Sequence, residues 1–109
     1  MDIWVNVNVE NHKKLINAYL EFGLPTADIS EENFLSNDAV DVFSYGSPPV
    51  CIEILKKVKG CDFSEAYMIS KIYNETDLPI RFVHINTLIQ AKKAAGRYKD
   101  LDDIEKLTQ

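Results

Sequence analysis

Asn86 to Leu107 reads NTLIQAKKAAGRYKDLDDIEKL, a helix start, a break and a second helix start set around a group of basic side chains. Thr87 with Gln90 three residues on has the capping-box pattern, and Asn86 is the other candidate cap, so backbone donors otherwise left open find partners. Leu88, Ile89, Lys92 and Ala95 share one face at helical spacing, which puts a lysine on an apolar stripe. Gly96 suits a left-handed stop. Asp100, with Asp103 three positions on, suits the cap and first turn of a second helix, whose core face is then Leu101, Ile104 and Leu107. Arg97 and Lys99 fall on the short turn between the helices, near the end of the helix that carries Lys92. Three cations in one corner can hold a phosphate chain, or they can pair with Asp100, Asp102, Asp103 and Glu105.

Upstream of this helix pair, Ala66 to Tyr73 and Ile80 to Ile85 read as the arms of a hairpin around Asn74 to Asp77, with Pro79 tolerated at the start of the second arm. Tyr67, Tyr73 and Phe82 are expected as cross-strand packing, not as a base-stacking platform. Val50 to Leu55 and Ala39 to Tyr45 are two further strands, joined through Gly46, Ser47, Pro48 and Pro49. Glu53 interrupts the apolar run VCIEIL. Such a carboxylate needs a cation, a metal or a hydrogen-bond donor, unless it lies on an edge and faces water. Lys56, Lys57 and Lys59 then read as a solvated face.

Ile3, Val5, Val7 and Val9 alternate with polar or mixed positions and predict a strand, with Asp2 on the side of Trp4 and Asn6. From Glu10 the period becomes helical, with Leu15, Ile16, Tyr19 and Leu20 on one face and Gly23 as the stop. His12 is expected at the boundary of that face, and His84 is likewise expected to be structural. Ser30 starts a short helix that buries Phe34 and Leu35. These elements make an α/β domain: a mixed, mostly antiparallel sheet of four or five strands with the Glu10 helix and the C-terminal helix pair packed on it.

A chain of 109 residues is the size of one domain with a single core. The net charge of −5 argues against unaided nucleic-acid binding, which needs a basic stripe. Cys51 and Cys61 lie in apolar sequence without metal-ligand spacing and are expected to be buried free thiols in a cytoplasmic protein. No apolar run approaches the length of a membrane span, and no leader pattern opens the chain.

The closing residues Leu88, Lys92, Ala95, Gly96, Arg97, Lys99, Asp100 and Asp103 resemble the last motif of bacterial nucleotidyltransferase-like domains, the group that includes minimal nucleotidyltransferases and abortive-infection toxins. The opening MDIWVNVNVENHKKLINAYLEFGLP is similar to the same group, as is the segment from Gly46 to Leu55. The resemblance places Asp2 on the second aspartate of the family's Asp-x-Asp pair and Glu53 on its third carboxylate. It implies that Asp2 and Glu53 are catalytic metal ligands for magnesium, and that Lys92, Arg97 and Lys99 contact the phosphates of a nucleoside triphosphate. The activity implied is transfer of a nucleoside monophosphate to an acceptor. The glycine-serine turn and the first aspartate of the family would precede Met1, so the resemblance implies the fold with an incomplete metal site. The alternative from another class is a noncatalytic module that dimerises or binds a protein partner through an exposed sheet edge.

Overall fold

Asn8 decides where the first strand ends. Its backbone is extended and its side-chain oxygen accepts a hydrogen bond from the Asn11 N–H at 2.7 Å, so helix α1 runs Val9–Phe22. The period-two pattern of Ile3, Val5, Val7 and Val9 is therefore cut short. Strand β1 covers Asp2–Trp4, Val9 enters the helix, and Val5 and Val7 pack on the core from the connection. Gly23 closes α1 in the left-handed conformation expected of it, at φ 72°. Tyr19 is buried on the inner face of α1, but Leu20 is exposed and does not belong to the expected face.

The computed structural model describes residues 1–47, 50–73 and 80–108. The sequence readings at Pro48, Pro49, Asn74 to Asp77 and Pro79 lie outside the described residues. The chain divides into two compact units, Met1–Lys57 and Val58–Gln109.

In the first unit, a 3-10 turn at Ala27–Ile29 is followed by a π-helical turn at Glu32–Ser36. The Ser30 hydroxyl accepts from the Asn33 N–H at 3.2 Å, so the short helix expected from Ser30 is present, wound wider than an α-helix. It buries Phe34 fully and Leu35 in part. Strand β2 (Val42–Ser47) and strand β3 (Val50–Leu55) form a three-stranded sheet with β1, in the order β1-β3-β2. β1 runs parallel to β3 and β2 antiparallel to it. Phe43 lies opposite Ile54 and Tyr45 opposite Ile52, and these four side chains meet Tyr19, Ile29 and Phe34 in the core. Because side chains alternate along a strand, Asp2, Trp4, Ser44, Glu53 and Leu55 belong to the other face.

Lys56 corrects the expectation of a solvated lysine run. It is 7% exposed, and its ammonium donates to the carbonyls of Asn33 at 2.8 Å and Asn37 at 3.0 Å. A cation there suits the carbonyl-rich end of the π-helical turn, where the Asn37 carbonyl also accepts from the Val40 N–H at 3.2 Å.

The second unit opens with a helix where a hairpin arm was expected. The Asp62 carboxylate accepts from the Glu65 N–H at 3.1 Å and starts α2 at Phe63–Ile69. The hairpin survives as two three-residue strands, β4 (Lys71–Tyr73) and β5 (Ile80–Phe82), paired antiparallel with Ile72 opposite Arg81. The expected sheet of four or five strands is thus a three-stranded mixed sheet and a separate two-stranded ribbon, since α2 takes the residues a longer arm needs. The closing helix pair is present as α3 (Ile85–Ala95) and α4 (Tyr98–Thr108). Gly96 ends α3 at φ 66° in the left-handed region. Gly60, at φ 79°, lies where an added Cβ would come within 2.6 Å of the Ala94 Cβ, so glycine permits this close approach to α3.

Candidate functional site

The two carboxylates singled out in the sequence are neighbours. Glu53 N–H donates to the Met1 carbonyl at 2.9 Å and Val5 N–H to the Leu55 carbonyl at 3.0 Å, and this ladder sets Asp2 directly beside Glu53 and Trp4 beside Leu55. Partners in a parallel pair present their side chains on the same face. On the other flank of β3, Ser44 lies opposite Glu53. The result is a row of three oxygen-bearing side chains across β1, β3 and β2, on the sheet face away from Phe43 and Ile54. Asp2 and Ser44 are exposed and Glu53 is half-buried. Like charges directly beside each other on adjacent strands are mutually destabilising, and a cation between them removes that cost. Among the described residues no group of three or more His, Cys, Asp and Glu side chains gathers as a set of metal ligands, so the acidic donors here number two.

Ser44 was not distinguished by sequence. Its place in the row depends on strand register, which no pattern in residues 42–55 reveals.

The basic corner belongs to the second unit. Lys92 on α3 donates to the Asp103 carboxylate on α4 at 2.8 Å, and its ammonium stands 4.0 Å from Asp100. Arg97 spans the Asp100 carboxylate with two bonds, Nε to Oδ2 at 2.6 Å and Nη2 to Oδ1 at 3.2 Å. For Lys92 and Arg97, pairing with carboxylates of the same unit is present. The hydrogen bond from Arg97 holds the Asp100 carboxyl below the ordinary aspartate range, against the opposing effect of desolvation, and the bond from Lys92 does the same for Asp103. Lys99 remains exposed on α4 and adds its charge to the field on Asp103.

Asp100, expected at a helix cap, lies inside the first turn of α4 and is 3% exposed. Leu101, expected on the core face, is exposed. The helix begins at Tyr98, two residues before the expected cap, and the buried face passes through Asp100 and not through Leu101.

Both histidines have structural roles. His12 is buried and its Nε2 lies 2.8 Å from the Ile29 carbonyl, joining α1 to the 3-10 turn. His84 caps α3: its Nδ1 accepts from the Asn86 N–H at 3.0 Å. This replaces the expected caps at Asn86 and Thr87, and Gln90 donates to the Gly60 carbonyl instead of closing a capping box. Cys51 and Cys61 are free thiols, half-buried where full burial was expected. Burial pushes the Cys61 thiol up. Tyr73 and Phe82 pack edge to face across the ribbon with ring centres 5.1 Å apart, as cross-strand aromatics do.

Among the described residues no helix is long and apolar enough to cross a membrane. Compared with known proteins, the chain matches no family model, no curated protein and no solved structure.

Proposed function

We propose that this chain is a nucleotidyltransferase-like unit that binds a magnesium-nucleoside triphosphate, with Asp2 and Glu53 as the metal ligands. The observation that carries the reading is their register, two carboxylates side by side on neighbouring parallel strands. Magnesium keeps most of its waters and takes one or two protein carboxylates together with substrate phosphates, so a pair of this kind is a sufficient protein contribution. Ser44 supplies a hydroxyl on the same row. When bound, the metal would neutralise and orient the triphosphate.

Within the second unit taken by itself, the resemblance makes Lys92, Arg97 and Lys99 candidate phosphate contacts. Lys92 and Arg97 hold Asp103 and Asp100 in this structure, so a phosphate would have to displace a carboxylate at either, whereas Lys99 is exposed. The proposed function is accordingly metal-dependent nucleotide binding, with transfer to an acceptor requiring a further carboxylate to activate the nucleophile.

Isothermal titration with each nucleoside triphosphate, with and without magnesium, tests this. Binding is expected only with the metal, and Glu53→Gln is expected to weaken it by about tenfold or more. Absence of heat with every nucleotide, or equal affinity in the variant, overturns the reading.

A further inference from the structure

Strand β1 is held by little and carries a charge that opposes its pairing. It is three residues long and, among the described residues, pairs on one side only, with β3. That pairing is parallel, the ladder that is slightly less stable per residue. Its single side chain on the face of Phe43 and Ile54 is Ile3, which is 39% exposed. On the opposite face the register sets Asp2 beside the half-buried Glu53. Among the described residues no ion pair reaches either carboxylate; the Met1 ammonium donates instead to the Cys51 carbonyl at 2.7 Å. The chain beyond β1 is fastened independently. The Asn11 side-chain amide donates to the Asn6 carbonyl at 2.9 Å, Val7 packs on the core, and Asn8 caps α1. These contacts place a hinge at Val5, so β1 can leave β3 with α1 undisturbed.

We propose that Asp2 and Glu53 make the docking of β1 on β3 conditional on a divalent cation. The device rests on the reading of this pair as metal ligands. Without the cation, two like charges side by side oppose the pairing, and little apolar burial offsets them. With it, the repulsion is removed and the two strands share one ion. Only docked β1 presents both carboxylates together, so the cation binds that state better and shifts the population toward it. By reciprocity, any change that holds β1 in place raises the affinity for the metal. The nucleotide site is then complete only in the metal-loaded chain. Trp4, the single tryptophan of the sequence, lies on β1 and reports its docking.

Two measurements on the full chain separate docking from binding. Acrylamide quenching of Trp4 and amide exchange at Val5, whose N–H donates to the Leu55 carbonyl across the ladder, read docking. Loss of the free-ion EPR signal of manganese reads binding. In the wild type, millimolar magnesium is expected to reduce the quenching and to slow exchange at Val5 by about fivefold, the effect of a strong cross-strand charge contact. Asp2→Asn and Glu53→Gln each remove one of the like charges. Both are expected to show the slower exchange without metal, and to bind manganese more weakly by about tenfold or more. Unchanged exchange across β2 shows that the variants fold. Manganese that binds while quenching and exchange stay as they were overturns the gating and leaves the metal reading standing. Absence of manganese binding overturns both. The gating also fails if Asp2→Asn exchanges as fast at Val5 as the metal-free wild type, or if potassium chloride at matched ionic strength has the full effect of magnesium, since screening alone would then suffice.

Discussion

Burial and charge compete at Asp100 and Asp103, and charge wins at both. Desolvation alone would raise each carboxyl, but the hydrogen bond from Arg97 at Asp100 and from Lys92 at Asp103 outweighs it and lowers both. The consequence for stability has a definite sign. A carboxylate whose folded pKa lies below its unfolded value stabilises the fold above the unfolded value, about 3.9 for aspartate, and that contribution is lost as pH falls through the lower folded value. Acid titration of the wild type should therefore show a loss of stability beginning below about pH 4 that Asp103→Asn shows less strongly, because an amide has no proton to take up. Matched urea melts from pH 6 to pH 2 measure this, and parallel acid limbs would show that the pair contributes nothing. The same residues explain what could be read of the basic corner in advance. Lys92, Arg97, Asp100 and Asp103 were legible as residues that meet, because i, i+3 spacing from Arg97 to Asp103 and the glycine stop between the two helices bring them together. Whether the cations hold carboxylates of their own chain or a ligand's phosphates is written nowhere in that spacing. The carboxylate pair differs again: Asp2 and Glu53 are 51 positions apart, and only the parallel register of β1 and β3 makes them neighbours.

Helix ends account for most of what the sequence showed and for most of what it hid. Gly23 and Gly96 stop α1 and α3 as expected, because a left-handed residue is cheap only for glycine. Helix starts proved less legible, since several residue types can cap and the choice turns on local geometry. Asp62 with Glu65 three residues on is a cap pattern that starts α2, but the aromatic and β-branched content of the residues that follow favoured a strand. At α3 the cap is a histidine, a residue outside the usual set, and the better-looking Thr87 is buried in the first turn. His84→Ala should therefore destabilise the chain by about 1 kcal/mol, the ordinary loss for a helix cap, while His84→Asn should retain most of it. Thermal melts of the two variants decide the matter. Equal losses would mean that the His84 side chain is held for its packing and not for the bond to Asn86.

The distribution of buried apolar side chains sets the behaviour of the whole molecule. Tyr19, Ile29, Phe34, Phe43 and Ile54 are all in Met1–Lys57, and among the described residues of Val58–Gln109 only Ala66 joins the buried apolar set. Apolar burial is the dominant favourable term in folding, so the second unit, held by the α3–α4 ion pairs and a short ribbon, opens at lower cost than the first. Amide hydrogen exchange at dilute concentration should show this as two classes. The amides of α1, β2 and β3 are expected to exchange most slowly, and those of β4, β5, α3 and α4 about tenfold faster or more, tenfold corresponding to about 1.4 kcal/mol of opening free energy. Uniform protection across both units at low concentration would mean that they unfold as one, and that the second draws its stability from contacts other than its own apolar core.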